Sequence, residues 1–293
     1  FNETPQGTPP AAAGECSAPK LLQYAFENKL KPLAMAEFWW GEPPKSSVRK
    51  HGLFYPACQS KCEPILRHML KGMNVDENPL LKNPAADKTI ETIYEDDHLL
   101  LINKPAEFLS VPGKTIKDSV KLRMQMQYPK ATGPLLVHRL DMSTSGLMLI
   151  AKTKKAHKYL QKQFINRNIK KRYVALLDGD IKEDKGEIAL PLRLDIEDRP
   201  RQLVCEEHGK PARTKWEVIK RNQNTTKVYF YPITGRTHQL RVHAAHKNGL
   251  NSPILGDDLY GEKSNRLHLH AESIEFEHPT TKKRISFNYE APF

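Results

Sequence analysis

One aspartate stands out as a candidate nucleophile. In His138-Arg139-Leu140-Asp141-Met142-Ser143-Thr144-Ser145-Gly146 a lone carboxylate sits in a polar turn between Leu135-Leu136-Val137 and Leu147-Met148-Leu149-Ile150. Strand-like flanks fix such a loop, so Asp141 is not part of a solvated acidic face. A carboxylate held this way can attack a carbon centre and later leave it, giving a covalent intermediate without a cofactor. The spacing equally admits an ordinary ion pair with Arg139, two positions away. Residue types alone leave both readings open.

The charge balance narrows the partner. A formal net charge of +12 over 293 residues favours a polyanion over a small acidic ligand. The excess is local: between residues 151 and 177 come Lys152, Lys154, Lys155, Lys158, Lys162, Arg167, Lys170, Lys171 and Arg172, with no Asp or Glu. Tyr159, Leu160 and Phe164 sit at helical spacing within this run and would bury one side. The basic side then reads as a phosphate-tracking face directly after the Asp141 strand.

These residues carry a resemblance. His138-Arg139-Leu140-Asp141, then 235–246 (GRTHQLRVHAAH) and 253–261 (PILGDDLYG), resemble in content and order the motifs of the RluA-type family of pseudouridine synthases. The likeness begins near Thr92, takes in Asn103-Lys104-Pro105 and Leu109-Ser110-Val111-Pro112-Gly113, and runs to Phe293. It implies an isomerase that breaks the bond between a uridine and its sugar in structured RNA, turns the base over and rejoins it through a carbon. No cofactor is implied. Asp141 would be the nucleophile, and Arg241 the guanidinium that keeps it ionised. Tyr173 would stack on the uracil, its hydroxyl being the acceptor for the proton from carbon 5. Arg139 would point at the RNA and fill the gap left by the displaced base; Lys154, Lys155, Lys171, Arg172 and Arg236 complete the expected RNA-binding set. Attack at the sugar carbon and attack at the ring use the same carboxylate, and both stay open. Base extrusion costs a few kcal/mol, which phosphate contacts and stacking on Tyr173, at about 1–3 kcal/mol, can offset. Large-subunit ribosomal RNA is the expected substrate, with transfer RNA as a further one. One departure is Glu107, where the family usually has Gly; if the backbone there needs a positive φ, Glu adds about 1 kcal/mol.

These residues need elements to hold them. Short apolar runs at 99–102, 147–151, 173–177, 216–219, 228–231, 267–276 and 285–289 read as strands, and 119–127, 155–166 and 237–247 as helices. Their order shows no regular strand–helix alternation, which predicts an α+β fold with a mixed, largely antiparallel sheet. The resemblance adds that the sheet is bent, with an RNA cleft across its middle. Gly235 and Thr237 read as turn and N-cap of the helix carrying Arg241, whose Leu240, His243 and Ala244 would pack inward. Residues 253–261 read as scaffold, with Asp257 bonding a neighbouring loop rather than doing chemistry.

Residues 1–83 read as a small accessory unit and connector, and 84–293 as the catalytic domain. The connector is the stretch 78–87, with Pro79 and Pro84 among polar residues. Within the accessory unit, Phe38-Trp39-Trp40 reads as cover for a small core. Cys58 and Cys62, flanked by His51 and His68, have a loose zinc-like spacing; His268 and His270 share a strand face but lack a third ligand. No metal is therefore expected. Cys16, Cys58, Cys62 and Cys205 are too few for a disulfide scaffold, and no apolar run is long enough for a membrane helix. A cytoplasmic protein with no obligate protein partner is expected. Two rival classes remain: a non-catalytic RNA-binding or ribosome-assembly factor in which Asp141 only anchors a loop, and a carboxylate-pair hydrolase, for which no second acid stands beside Asp141.

Overall fold

The computed structural model describes residues 7–42, 51–55, 57–58, 61–76 and 82–293. The chain divides into two compact units, Phe1–Asn78 with Ile196–Arg199, and Pro79–Asp195 with Pro200–Phe293. Residues 78–81 of the expected connector lie outside the described residues. The first unit carries helices α1 (Ser17–Glu27) and α2 (Glu63–Met69). Its Trp40 is 76% exposed, touching Phe38 and His51 edge-on or tilted, so it does not cover a core as the sequence suggests.

The second unit follows the order β1 (Glu91–Glu95), β2 (Leu99–Lys104), α3 (Val120–Gln127), β3 (Leu135–Leu136), β4 (Ser145–Ala151), α4 (Lys154–Ile165), β5 (Lys170–Asp178) and β6 (Lys185–Ala189). It continues through β7 (Leu192–Leu194), β8 (Gln202–Val204), β9 (Arg213–Arg221), β10 (Thr225–Pro232), α5 (Gln239–Ala245), β11 (Leu269–Glu277) and β12 (Arg284–Asn288). The main sheet runs β1-β2-β4-β11-β5-β10-β9-β6, with β3 on β4 and β12 on β11; β7 and β8 pair separately. Its one parallel pair joins β4 to β11, and every other pairing is antiparallel. This is the α+β, mixed and largely antiparallel architecture the sequence predicts. Among the described residues no helix is long and apolar enough to cross a membrane.

Period-two alternation explains how β2 and β4 become central. Leu99, Leu101, Leu147 and Leu149 pack with Ala156 and Leu160 of α4, while Leu100, Ile102, Met148 and Ile150 pack with Val120 and Met124 of α3. Both faces are thus covered, at about 1.5–3 kcal/mol for each large side chain buried. Ser119 and Thr153 cap the two helices by accepting from the N–H of Leu122 and Ala156. A further core gathers Ala175, Trp216, Val228 and Phe230 beneath Leu240 and Ala244 of α5. Tyr173 touches this core and the α3-side core, marking the seam where the site lies.

Gly146 sets the parallel contact. It sits at φ +115°, paired with Ala271, and a Cβ there would stand 2.4 Å from the Ala271 carbonyl oxygen. Both the positive φ and the backbone contact exclude a side chain. Gly146→Ala is expected to destabilise by about 2–4 kcal/mol, read as a lower urea midpoint; an unchanged midpoint would show that β4 and β11 can separate at no cost. Glu107 adopts φ +55°, so the loop keeps the conformation that glycine favours and carries the strain expected from its side chain.

Candidate active site

The sheet order brings the pieces together. Gly146, at the end of the Asp141 loop, pairs with Ala271, which pairs on its other side with Tyr173. Two strand spacings, about 10 Å, therefore separate the loop from the tyrosine at one level of the sheet. Asp141, Tyr173 and Arg241 line one cavity of about 320 Å³, with Arg139, Lys171 and Arg236 in its wall. A neighbouring cavity shares Lys171 and Arg236 and adds Arg167; another shares Asp141, Arg139 and Arg241 and ends at Glu107 and Asp258. Asp141 thus borders two adjoining hollows: the first sets Arg139, Lys171, Arg236 and Arg241 around it, and the second sets Arg139 and Arg241 beside Glu107 and Asp258.

The loop is pinned through its backbone. Ser110 Oγ donates to the Leu140 carbonyl at 2.6 Å and accepts from the Leu140 N–H at 3.2 Å. The Phe108 N–H donates to the Met142 carbonyl at 3.0 Å, and the Thr144 N–H to the Asp141 carbonyl at 3.2 Å. Lys104, fully buried, donates to the carbonyls of Pro105, Phe108 and Met142 at 2.8–3.0 Å, matching the three donors of an ammonium. Burial pulls its pKa down to about 7, against the upward pull of Asp141 and Glu107. Sequence reasoning gave neither Ser110 nor Lys104 a role. A lysine closing the apolar run Leu99-Leu100-Leu101-Ile102 was the available signal, since such a position is buried and a buried ammonium needs acceptors.

Arg241 rests on a short, buried helix. The α5 N-cap is His238, in the left-handed region at φ +53°, rather than Thr237. The turn before it is held by Gln239, whose Oε1 accepts from Thr234 Oγ1 and the Arg236 N–H and whose Nε2 donates to the Arg213 carbonyl and Thr214 Oγ1. Arg241 Nε and Nη2 donate to Asp257 Oδ2 and Oδ1 at 2.8 and 2.5 Å, and Nη2 also reaches Asp258 at 3.1 Å. The side chains of Arg241 and Asp257 are 3% and 0% exposed. Burial works to lower the Arg241 pKa, but the Asp257 bond and charge, joined by Asp141, raise it overall. Among the described residues Asp141 forms no ion pair within 4 Å, so Arg241 acts on it through the field rather than by a direct bridge. The carboxylate read as scaffold is the partner that a buried guanidinium requires.

Tyr173 is half-buried, and its hydroxyl ionisation is pushed upward first by burial and then by the charge of Asp141. Burial lowers the Lys171 ammonium. The other expected RNA-binding residues divide. Arg139 and Arg236 are exposed at the cavity. Arg172, one position from Tyr173 and so on the opposite sheet face, instead pairs with Glu272 at 2.7 Å and lies over the Tyr229 ring. Lys154 and Lys155 are exposed in the first turn of α4, about 15 Å along the helix from Phe164, which does line the cavity. Thr144 Oγ1, also at the cavity, is buried without a hydrogen-bond partner among the described residues.

His138, His268, His243 and His270 are held by hydrogen bonds within the fold. His138 accepts from the Leu149 N–H at 2.9 Å and stacks on Phe164; burial, then Lys171, pushes its pKa down to about 3. His268 bonds the Leu255 carbonyl. His243 meets Thr214 Oγ1 and the Leu190 carbonyl, and His270 meets Ser145 Oγ and the Tyr289 carbonyl. Burial holds both of the latter at about 4. Unfolded histidine titrates near 6.5, so the unfolded chain gains protons first as pH falls. Stability is therefore expected to be full above about 6.5 and to be lost toward 4, by up to about 1.4 kcal/mol per pH unit for each histidine. Denaturant midpoints between pH 7.5 and 4.5 check this; a flat profile would contradict it.

A pinned carboxylate, a half-buried phenol and a buried guanidinium thus share one hollow with Arg139, Lys171 and Arg236. Residues 98–246 match the family model described as RNA pseudouridylate synthase. The chain is 46% identical over 213 residues to the dual-specificity RNA pseudouridine synthase RluA of Pasteurella multocida, covering 70% of this chain and 94% of that one. The enzyme of the same name from Escherichia coli K12 is 44% identical over 219 residues, covering 72% and 97%. Among solved structures, human RNA pseudouridylate synthase domain containing 1 superposes with a TM-score of 0.59 at 26% identity, covering 75% of this chain and 87% of that one. The chain belongs to the RNA pseudouridylate synthase family, and as such is an isomerase that acts on RNA.

Proposed function

We propose that this enzyme converts specific uridines of large-subunit ribosomal RNA, and of transfer RNA as a second substrate class, to pseudouridine in the cytoplasm, with Asp141 as nucleophile. The observation that carries the reading is the single cavity lined by Asp141, Tyr173 and Arg241 together. That there are two substrate classes accords with the words dual-specificity in the bacterial relatives' names.

Asp141 attacks the extruded nucleotide, the bond from the sugar to N1 breaks, and the base turns. Carbon 5 then bonds the sugar, the bond to Asp141 breaks and returns the carboxylate, the carbon-5 proton leaves, and N1 gains one, so the isomerisation balances without a cofactor. A cavity of about 320 Å³ admits one base. The Tyr173 ring stacks on it; with its ionisation pushed upward, the group meets the base as a neutral phenol at neutral pH. Thr144 Oγ1 offers the buried, unmet hydrogen-bonding atom that a uracil carbonyl would satisfy. Arg241 stabilises the carboxylate through space, and Arg139, Lys171 and Arg236 hold the flanking phosphates. Lys154 and Lys155 oppose the α4 dipole at some cost, which a phosphate partner would offset.

Tritium release from RNA labelled at carbon 5 of uridine tests the reading directly. Purified protein is expected to release tritium with ribosomal RNA, and mapping in cells with and without it should identify the uridine. RNA binding without release would favour the assembly factor, and free uracil the hydrolase.

A further inference from the structure

The geometry points to a structural zinc site in the first unit, formed by the thiolates of Cys16, Cys58 and Cys62. Their three sulfurs lie within 4.8 Å of one another although Cys16 is 42 residues away from Cys58 in sequence. Cys16 stands at the N-cap of α1 and Cys62 at the N-cap of α2, so both helices begin at the cluster. At a zinc–sulfur distance of about 2.3 Å a tetrahedral centre has sulfur–sulfur edges of about 3.8 Å, which the cluster reaches by closing about 1 Å at most. The cysteines are thiols, not disulfide-linked, and Cys62 is fully buried. His51 and His68, which the spacing suggests as ligands, do not join the group among the described residues. His51 instead accepts from the Gly41 N–H and packs on Trp40.

A second observation asks for such a staple. The first unit's core consists, among the described residues, of Ala18, Leu22, Cys62 and Leu66, with a few half-buried neighbours. Leu33 is 90% exposed and Phe54 71%. A core of that size does not hold two short helices together, and small units of this kind rely on metals or disulfides. Three sulfur ligands select a borderline-soft divalent ion, and a fourth position is left for water. Binding releases the thiol protons, so zinc affinity falls as pH falls.

The test uses the reduced full chain exposed to zinc alone, and to cobalt(II) alone as a spectroscopic probe. The chain is expected to retain about one equivalent of zinc after gel filtration, and cobalt(II) to give thiolate charge-transfer bands with tetrahedral d–d bands. Cys16→Ser is expected to weaken zinc binding at least about a hundredfold, while Cys205→Ser binds as the wild type does. Cys16 is the informative position, because only the fold brings it to the other two. Should Cys16→Ser fail to fold, the zinc content and cobalt spectrum of the wild type still decide. Wild type that retains no zinc, a Cys16→Ser protein that binds normally, or a native Cys58–Cys62 disulfide by mass spectrometry would overturn the assignment.

Discussion

Asp141→Asn is expected to abolish isomerisation, lowering tritium release at least about a thousandfold while leaving RNA affinity intact or slightly increased. Asn keeps the size of the side chain but can neither attack carbon nor carry charge. The loop should not move, because its restraints act on backbone atoms: Ser110 on Leu140, Phe108 on Met142, and Thr144 on the Asp141 carbonyl. Removing a negative charge from a cationic hollow cannot weaken phosphate binding by electrostatics. The pairing of lost turnover with retained binding separates a nucleophile from a loop anchor. Turnover at the wild-type rate would remove Asp141 from the chemistry.

Asp257→Asn is expected to cost about 3–5 kcal/mol in stability, because it leaves the Arg241 guanidinium buried without a matching charge. Asp258, half exposed, does not replace a bidentate partner. Activity should fall as well, at temperatures where the variant is folded, since Arg241 is no longer held against the cavity that Asp141 shares. The double change Arg241→Met, Asp257→Leu distinguishes the two effects. An apolar pair in place of a buried ion pair recovers much of the stability, yet the enzyme stays slow because the cavity has then lost the guanidinium it shares with Asp141. Denaturant midpoints and tritium release measure the two separately; an Asp257→Asn protein as stable as the wild type would show that α5 is anchored by packing alone.

The central strands were legible because burial on both faces leaves a continuous apolar run, as in Leu99–Lys104 and Ser145–Ala151. β6 was not. Edge strands bury little, and Lys185–Ala189 covers one residue, Ile188, so its sequence carries almost no period. α5 was read as longer and with Thr237 as its cap, because a left-handed His238 held by the Gln239 network has no local signature. The run 170–173 was basic in sequence but alternates across a strand, which sends Lys171 to the cavity and Arg172 to Glu272.

The chain's sequence by itself determined the nucleophile candidate, the basic character of the partner and the α+β class, because each is written in local residue types, charge and period. Only the tertiary structure decided which groups stand beside one another: Asp257 behind Arg241, Lys104 and Ser110 under the Asp141 loop, Cys16 with Cys58 and Cys62. Each of these joins residues through long-range packing, and a buried charge or donor states that a partner is needed without stating where along the chain it lies.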